Sequence, residues 1–177
     1  MGETAQGIIL RLTKLTETSL IVRWSTADYG MIDTVAKGAR NPKSSFAGKL
    51  DLFFAAEFSW QEARRGKLHH LRECKVVDFH EGLRRDYATM MLAGYCCGLM
   101  EQVSEPEHPQ DEMHDLLCRA LSHLSEAGAS IKALRHFERE MARLHGVGRD
   151  RGDAYIELAE IGASLPQLRN ELIQRLR

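Results

Sequence analysis

The segment Gly7-Ile8-Ile9-Leu10-Arg11-Leu12-Thr13 presents two different faces when it is extended. Ile8, Leu10 and Leu12 lie on one face, and Ile9, Arg11 and Thr13 lie on the other. A period of two residues is typical of a half-buried β-strand. The first part of the chain is therefore expected to form a sheet with one covered face.

Four further runs repeat this alternation, at about residues 20–25, 31–37, 54–60 and 68–79. Turn-forming residues at 17–18, 28–30 and 64–67 join neighbouring runs by short links, which favours antiparallel pairing. Residues 38–49 form the one long connection, between the third and fourth runs. Five short strands with this spacing predict a five-stranded β-barrel of the oligonucleotide-binding (OB) type. A flat sheet is the alternative that the pattern leaves open.

After His80 the hydrophobic period becomes helical. We expect helices over about residues 82–103, from the acidic start at Asp111 to Gly128, from the capping residue Ser130 to Gly146, and from Pro166 onwards. The segments 104–110 and 146–152 separate them. The sequence thus predicts an α+β protein, with an OB-fold domain at residues 1–80 and an all-helical domain at residues 81–177.

The net charge of −1 over 177 residues conceals an uneven distribution. Residues 1–80 hold 12 Lys and Arg against 9 Asp and Glu, a balance of +3, whereas residues 81–177 hold 12 against 16, a balance of −4. A positive field confined to the strand-forming part is compatible with a polyanionic ligand there.

The apolar run at residues 88–100 is too short to span a bilayer, and Met1-Gly2-Glu3-Thr4 has none of the features of a signal peptide. The four cysteines include an adjacent pair, Cys96 and Cys97, and show no disulfide framework. We therefore expect a cytoplasmic protein with free thiols and no membrane partner.

Residues 37–49 read Lys-Gly-Ala-Arg-Asn-Pro-Lys-Ser-Ser-Phe-Ala-Gly-Lys and contain four cations without a carboxylate. Glycine lets backbone amides approach an anion closely, and the serine hydroxyls are further donors. We expect this segment, the basic loop, to bind phosphate; the alternative is a solvated surface loop. The cations of the loop are Lys37, Arg40, Lys43 and Lys49. The positive surface extends further if other cations face the same side, namely Arg11, Arg23, Arg64, Arg65 and Lys67.

Aromatic side chains can stack on unpaired bases. Phe54, Phe58 and Trp60 share one strand face, so we expect them in the core. Tyr29 and Phe46 each lie in a turn or loop beside cations and are the better candidates for stacking.

No motif for catalysis or for a resident cofactor is present. His70 and Cys74 lie on a predicted strand, where residues four apart are too distant to ligate one ion. His114 and Cys118 have no second pair of matching spacing that would complete a zinc site. We expect no metal, no cofactor and no enzymatic activity.

Lys132, Arg135, Arg139 and Arg143 recur at helical spacing beside an apolar stripe. The pattern suits an acidic, hydrophobic peptide tail. The alternative is a solvated helix face with Glu138 and Glu140 as local partners.

Several of these segments together resemble the RecO family of bacterial recombination mediators. The matching motifs cover roughly residues 4–146 and are Gly7-Ile8-Ile9-Leu10-Arg11, Ser19-Leu20-Ile21-Val22, Tyr29-Gly30-Met31, Val35-Ala36-Lys37-Gly38-Ala39-Arg40-Asn41-Pro42-Lys43-Ser44, Phe58-Ser59-Trp60, Leu68-His69-His70-Leu71 and Ala133-Leu134-Arg135-His136-Phe137-Glu138.

The resemblance implies a protein that binds single- and double-stranded DNA and anneals complementary strands without hydrolysing nucleotides. It also implies partnership with RecR, contact with the acidic C-terminal tail of single-stranded DNA-binding protein, and help in loading RecA during gap and break repair. By this resemblance Lys37, Arg40 and Lys43 take the DNA-binding role. Lys132, Arg135 and Arg139 take the tail-binding role.

The chain departs from the family pattern in having no cysteine after Cys118, where many relatives carry a four-cysteine zinc module. We therefore expect no zinc, and we expect the shorter C-terminus to lack some partner contacts. Two other classes stay open: a peptide-binding scaffold that the barrel merely supports, and, less favoured, a metal-dependent nuclease.

Overall fold

The computed structural model describes residues 2–105, 107–149 and 152–177. The chain divides into two compact units. The barrel unit contains residues up to Phe79 together with Glu105–Asp111, and the helical unit contains His80–Ser104 and Glu112–Arg177. Parts of two expected linkers, Pro106 and the pair Asp150 and Arg151, lie outside the described residues.

The barrel unit consists of five strands, β1 (Gly2–Lys14), β2 (Leu20–Thr26), β3 (Gly30–Ala36), β4 (Ala55–Gln61) and β5 (Leu68–Asp78). They close in the order β1-β2-β3-β5-β4, with β3 and β5 parallel and the other pairs antiparallel. The predicted five-stranded OB-type barrel is confirmed, and the flat sheet is wrong. In this closed order each described strand pairs with two neighbours.

Aromatic side chains from β2 and β4 fill the barrel. The rings of Trp24 and Phe58 stack with centroids 3.9 Å apart, and both side chains are buried. Trp24 Nε1 donates a 2.9 Å hydrogen bond to Thr34 Oγ1, so the one polar atom of the indole is satisfied inside the core. As expected, Phe54, Phe58 and Trp60 are core residues.

A short segment of the barrel unit, Glu105–Asp111, packs on the turn between β2 and β3. The backbone N–H groups of Glu107 and Gln110 donate to the carbonyl oxygens of Met31, at 3.2 Å, and Ala27, at 2.8 Å. A carboxylate oxygen of Glu107 also lies 3.6 Å from His69 Nε2 on β5. The expected linker is therefore partly a component of the barrel.

The helical unit begins with a 3-10 helix (Glu81–Arg84) and contains α1 (Tyr87–Val103), α2 (Asp111–Ala127), α3 (Ile131–Leu144), α4 (Ala154–Glu160) and α5 (Pro166–Arg175). The expected helix from residue 82 instead begins at Tyr87, because Asp86 is extended and accepts 2.8 Å hydrogen bonds from Thr89 N and Oγ1. Ser130 caps α3 as expected. The short helix α4 was not predicted. No helix in the described part of the chain is long and apolar enough to cross a membrane.

A buried polar cluster joins three helices of this unit. Glu138 on α3 accepts hydrogen bonds from the Tyr95 hydroxyl, at 2.7 Å, and from the Arg169 guanidinium, at 2.6 and 3.0 Å. Burial raises the pKa of Tyr95, and the adjacent Glu138 charge raises it further. Burial opposes the charge of Arg169, but the hydrogen bonds that the guanidinium donates to Glu138 raise its pKa overall. The cluster therefore holds one ion pair in a largely dry environment.

Candidate nucleic-acid interface

The basic loop is a chain of tight turns fixed at both ends. Backbone hydrogen bonds of 2.9 to 3.1 Å join Asn41 to Gly38, Ser44 to Asn41, Ala47 to Ser44 and Lys49 to Phe46. Gly38 and Gly48 adopt φ angles of +68° and +72°, which other residues adopt only with strain. The loop therefore has a defined shape and presents its cations in a fixed arrangement.

Phe46 anchors the middle of the basic loop. Its ring is only 7% exposed and packs in the barrel core, so the expectation that Phe46 stacks on bases is wrong. Tyr29 is also a poor candidate, because its ring packs edgewise on Trp60 and its hydroxyl donates to Glu3 at 3.2 Å. Apolar burial explains both placements, since each ring covers part of the barrel core.

Arg40 attaches the basic loop to the β1–β2 connection. Its Nη1 donates to the Glu17 carbonyl at 2.9 Å, and its backbone N–H donates to the Thr18 carbonyl at 3.0 Å. The Glu17 carboxylate lies 3.9 Å from the same nitrogen. Some of the guanidinium donors of Arg40 are therefore occupied. Arg40 positions the loop and also contributes charge to it.

The three lysines of the basic loop, Lys37, Lys43 and Lys49, are exposed. None of them forms an ion pair with a carboxylate of the described residues. Their charge is therefore directed at solvent, where it can attract an anion.

Lys37 also lines a groove of about 580 Å³ between the basic loop and the β4–β5 loop, residues 62–67. We call this cavity the basic groove. Its other cations are Arg64, Arg65 and Arg72, and His70 and Phe46 lie along its wall. Glu62 is its one carboxylate among the described lining residues. The groove therefore concentrates positive charge in a concave site.

Parallel pairing of β3 with β5 explains how these cations meet. Val35 pairs with His70; Arg72 lies two residues further along β5, and Lys37 lies one residue beyond the end of β3. The pairing thus brings the end of β3 beside β5, and both cations line the groove. Sequence analysis did not identify Arg72, since only the topology makes β3 and β5 neighbours.

A second groove of about 460 Å³ adjoins the first, because Phe46 and Arg72 line both. Lys49 and Lys75 contribute positive charge here, but Glu57 and Glu73 offset it. Burial raises the pKa of the Cys74 thiol at its wall to about 11, so this thiol stays protonated at neutral pH.

Arg11 and Arg23 lie elsewhere on the barrel and line neither groove. Strand register places Arg11 opposite Arg23 and Arg23 opposite Asp33 across β1, β2 and β3. Arg23 and Asp33 form a two-pronged ion pair with bonds of 2.8 and 2.7 Å. The cation of Arg23 is thus locally neutralised, whereas the lysines of the basic loop are not.

In the helical unit, a cavity of about 430 Å³ lies between α1, α2 and α3. Its wall is apolar, with Leu92, Leu116 and Phe137 among the lining residues, and Lys132 lies at its rim. Arg135 and Arg139 are exposed but do not line it. Arg119, His123 and His136 also line the cavity, and the sequence pattern did not indicate them.

The described residues contain no group of three or more His, Cys, Asp or Glu side chains arranged to hold a metal. Cys118 Sγ lies 3.4 Å from His114 Nε2 on the same helix. Burial raises the pKa of this thiol to about 11, which favours the protonated form over a metal-binding thiolate.

Comparisons with known proteins agree with this architecture. Residues 1–80 match the family model described as "Recombination protein O N terminal", and residues 84–150 match the one described as "Recombination protein O C terminal". Relatives named DNA repair protein RecO include those of Syntrophus aciditrophicus, 28% identical over 80% of this chain and 54% of the relative, and Anaeromyxobacter dehalogenans, 31% identical over 80% and 56%. The protein of that name from Cyanothece sp. is 33% identical over 70% of this chain and 41% of its own length.

The chain spans about half the length of these curated relatives. The matches cover the barrel and α1 to α3, whereas α4 and α5 lie beyond the matched residues. The two successive family models and the relatives agree with one another along the chain. The chain therefore belongs to the recombination protein O family of DNA repair proteins.

Proposed function

We propose that this chain is a non-enzymatic recombination mediator that binds single- and double-stranded DNA and anneals complementary strands. In this role it helps to load RecA on single-stranded DNA coated with single-stranded DNA-binding protein, during gap and double-strand break repair. The observation that carries the proposal is the fixed basic loop on an OB-type barrel, with Lys37, Lys43 and Lys49 exposed and without a carboxylate partner among the described residues.

Phosphate contacts explain how such a surface binds DNA. Each lysine that replaces a condensed counterion contributes a salt-dependent, sequence-independent increment to the affinity. Lys37, Lys43 and Lys49 are the principal candidates, and Arg40 both holds the loop and adds charge. Arg11 and Arg23 are weaker candidates, because the register places them beside each other and Arg23 is paired with Asp33.

Annealing requires two polyanions to approach each other. A cationic surface that binds one strand lowers its charge density and thereby the repulsion felt by the second strand. The duplex forms spontaneously once the strands meet, so the protein needs no general acid, no nucleophile and no bound nucleotide. The proposal therefore includes no cofactor and no metal.

The helical cavity suits the tail of single-stranded DNA-binding protein. An apolar wall can bury a hydrophobic terminal side chain, and Lys132, with Arg119 beside it, can pair with acidic residues that precede that side chain. Arg135 and Arg139 extend the positive face of α3 beyond the cavity. We include RecR, and indirectly RecA, as partners and a cytoplasmic location, on the basis of the family.

The same cavity supports the alternative function, a peptide-binding scaffold for which the barrel is only a support. Two titrations of the whole chain at low salt distinguish these functions, one with a labelled single-stranded oligonucleotide and one with an acidic peptide that ends in Phe. The mediator proposal predicts that both ligands bind and that two complementary strands anneal faster with the protein. Peptide binding without any DNA binding would favour the scaffold and contradict the mediator.

A further inference from the structure

We propose that the DNA backbone runs through the basic groove, over the junction of β3 and β5 and between the basic loop and the β4–β5 loop. OB barrels commonly bind oligonucleotides across the face of their second and third strands and with the β1–β2 and β4–β5 loops. In this protein the cations favour the side of the β4–β5 loop over the β2–β3 face. The inference rests on the proposed DNA-binding function and assigns Arg64, Arg65 and Arg72 to it.

The charge on the two candidate surfaces differs. The described lining of the basic groove includes four Lys and Arg residues against Glu62 alone. Arg64 and Arg65 are exposed and form no ion pair with the described residues. On the β2–β3 face, by contrast, Asp33 holds the Arg23 guanidinium by two hydrogen bonds. A phosphate that approached Arg23 would have to compete with an existing carboxylate, whereas Arg64 and Arg65 have no ion pair with the described residues that a phosphate would have to displace.

The β4–β5 loop is held in place where its arginines begin. The backbone N–H of Ala63 donates to His69 Nδ1 at 3.2 Å, and His69 has only 12% of its side chain exposed. Its other ring nitrogen faces the Glu107 carboxylate. This histidine holds the start of the β4–β5 loop in place. Binding of a ligand by Arg64 and Arg65 therefore costs less conformational entropy than it would in an unrestrained loop.

The groove offers no exposed Phe, Tyr or Trp ring to a base among its described lining residues. The Phe46 ring is buried in the core, and the His70 ring is only partly exposed. Recognition in the groove is therefore of the sugar–phosphate chain, with little dependence on the bases. The adjoining groove continues the track past Arg72 towards Lys49 and Lys75.

The test uses the whole chain and compares three double variants with the parent. Arg64→Gln/Arg65→Gln removes two cations from the groove. Arg143→Gln/Arg175→Gln removes two exposed cations from the helical unit, each paired with a glutamate of its own helix, and so matches the change in net charge. Arg23→Gln/Asp33→Asn removes the ion pair of the β2–β3 face. Far-UV circular dichroism and thermal melting establish that each variant is folded.

The measurement is the affinity for a labelled oligothymidylate as a function of salt. Two lost phosphate contacts reduce the slope of log K against log salt by about 1.4, which corresponds to about 25-fold in affinity at roughly 0.1 M salt. We expect this loss for Arg64→Gln/Arg65→Gln, no significant loss for the matched control, and a loss of less than about threefold for Arg23→Gln/Asp33→Asn, because that pair is already neutral. A larger loss of affinity for Arg23→Gln/Asp33→Asn than for Arg64→Gln/Arg65→Gln would contradict the proposed path.

A second arm replaces the oligothymidylate with an abasic strand of the same length. We expect the affinity to stay within about threefold, since stacking is worth about fivefold or more for each base and the groove provides none. A loss of that size for each base removed would overturn recognition of the backbone. If the parent itself fails to bind DNA, the proposed function fails. If the parent binds and Arg64→Gln/Arg65→Gln binds equally well, only the groove is rejected.

Discussion

The buried ion pair between Glu138 on α3 and Arg169 on α5 gives a sharp prediction about the C-terminal segment. Helix α5 lies beyond the residues that match the family models. The Glu138 side chain is 2% exposed and that of Arg169 is 13% exposed, and two hydrogen bonds join them. Replacing Arg169 with Met removes the cation and leaves a buried carboxylate without its main partner.

The expected loss is about 3–5 kcal/mol, the range measured when one member of a buried pair is removed. For a domain of this size, each kcal/mol shifts Tm by about 4–8 °C, so the transition of the helical unit should fall by at least about 12 °C. Glu138→Met/Arg169→Met removes both charges and should recover a substantial part of the loss, because no unpaired charge stays buried.

Thermal and urea unfolding followed by far-UV circular dichroism at 222 nm would measure these changes, and linear extrapolation of the urea data gives the free energy of unfolding in water. Arg175→Met is the matched control, because Arg175 forms an exposed pair with Glu171 on the same helix. This replacement should lower the free energy of unfolding by less than about 1 kcal/mol. If Arg169→Met is no more destabilising than Arg175→Met, α5 is not an integral part of the helical unit and the reasoning is refuted.

Three further predictions concern the basic loop, the start of α1 and the helical cavity. Lys37→Gln/Lys43→Gln should weaken single-stranded DNA binding by about 25-fold at roughly 0.1 M salt, without changing Tm; fluorescence anisotropy would measure it, and parent-like affinity would remove the loop from the proposal. Asp86→Ala should lower the free energy of unfolding by about 1 kcal/mol, because Asp86 caps α1. The Thr89 N–H bond lowers the pKa of Asp86, so this contribution is present above its unfolded pKa, near 4, and is lost as pH falls through the folded pKa; acid titrations of parent and variant should therefore converge at low pH. Arg119→Gln/Lys132→Gln should weaken binding of an acidic, Phe-terminated peptide by about 30-fold if each of the two contacts contributes about 1 kcal/mol; calorimetry would measure the affinity, and an unchanged value would exclude the cavity.

The strand pattern could be predicted from the sequence because apolar residues recur with a period of two, although β3 and the middle of β1 are buried on both faces and not on one. Period-two alternation and short turns were sufficient to predict five strands, and the single long connection at residues 38–49 indicated the OB topology. Helices α2, α3 and α5 were likewise predicted by their apolar stripes and capping residues. The start of α1 was misplaced, since a capping aspartate at residue 86 interrupts an otherwise helical pattern.

Features that depend on contacts between distant segments could not be predicted. The parallel pairing of β3 with β5 brings Lys37 to the same groove as Arg72. The sequence pattern does not indicate that these two residues are neighbours. Phe46 resembled an exposed loop aromatic, but the turns of the basic loop direct its ring into the barrel. Arg40 resembled a free cation, but it reaches backbone carbonyls of the β1–β2 connection.

The salt dependence of single-stranded DNA binding by the unmodified chain tests the central claim most directly. Six phosphate contacts, from Lys37, Lys43, Lys49, Arg64, Arg65 and Arg72, predict a slope of about −4.2 in log K against log salt, with tight binding at low salt. A slope near zero, or no binding at low salt, would contradict the account, because the barrel would then not bind DNA through its cations.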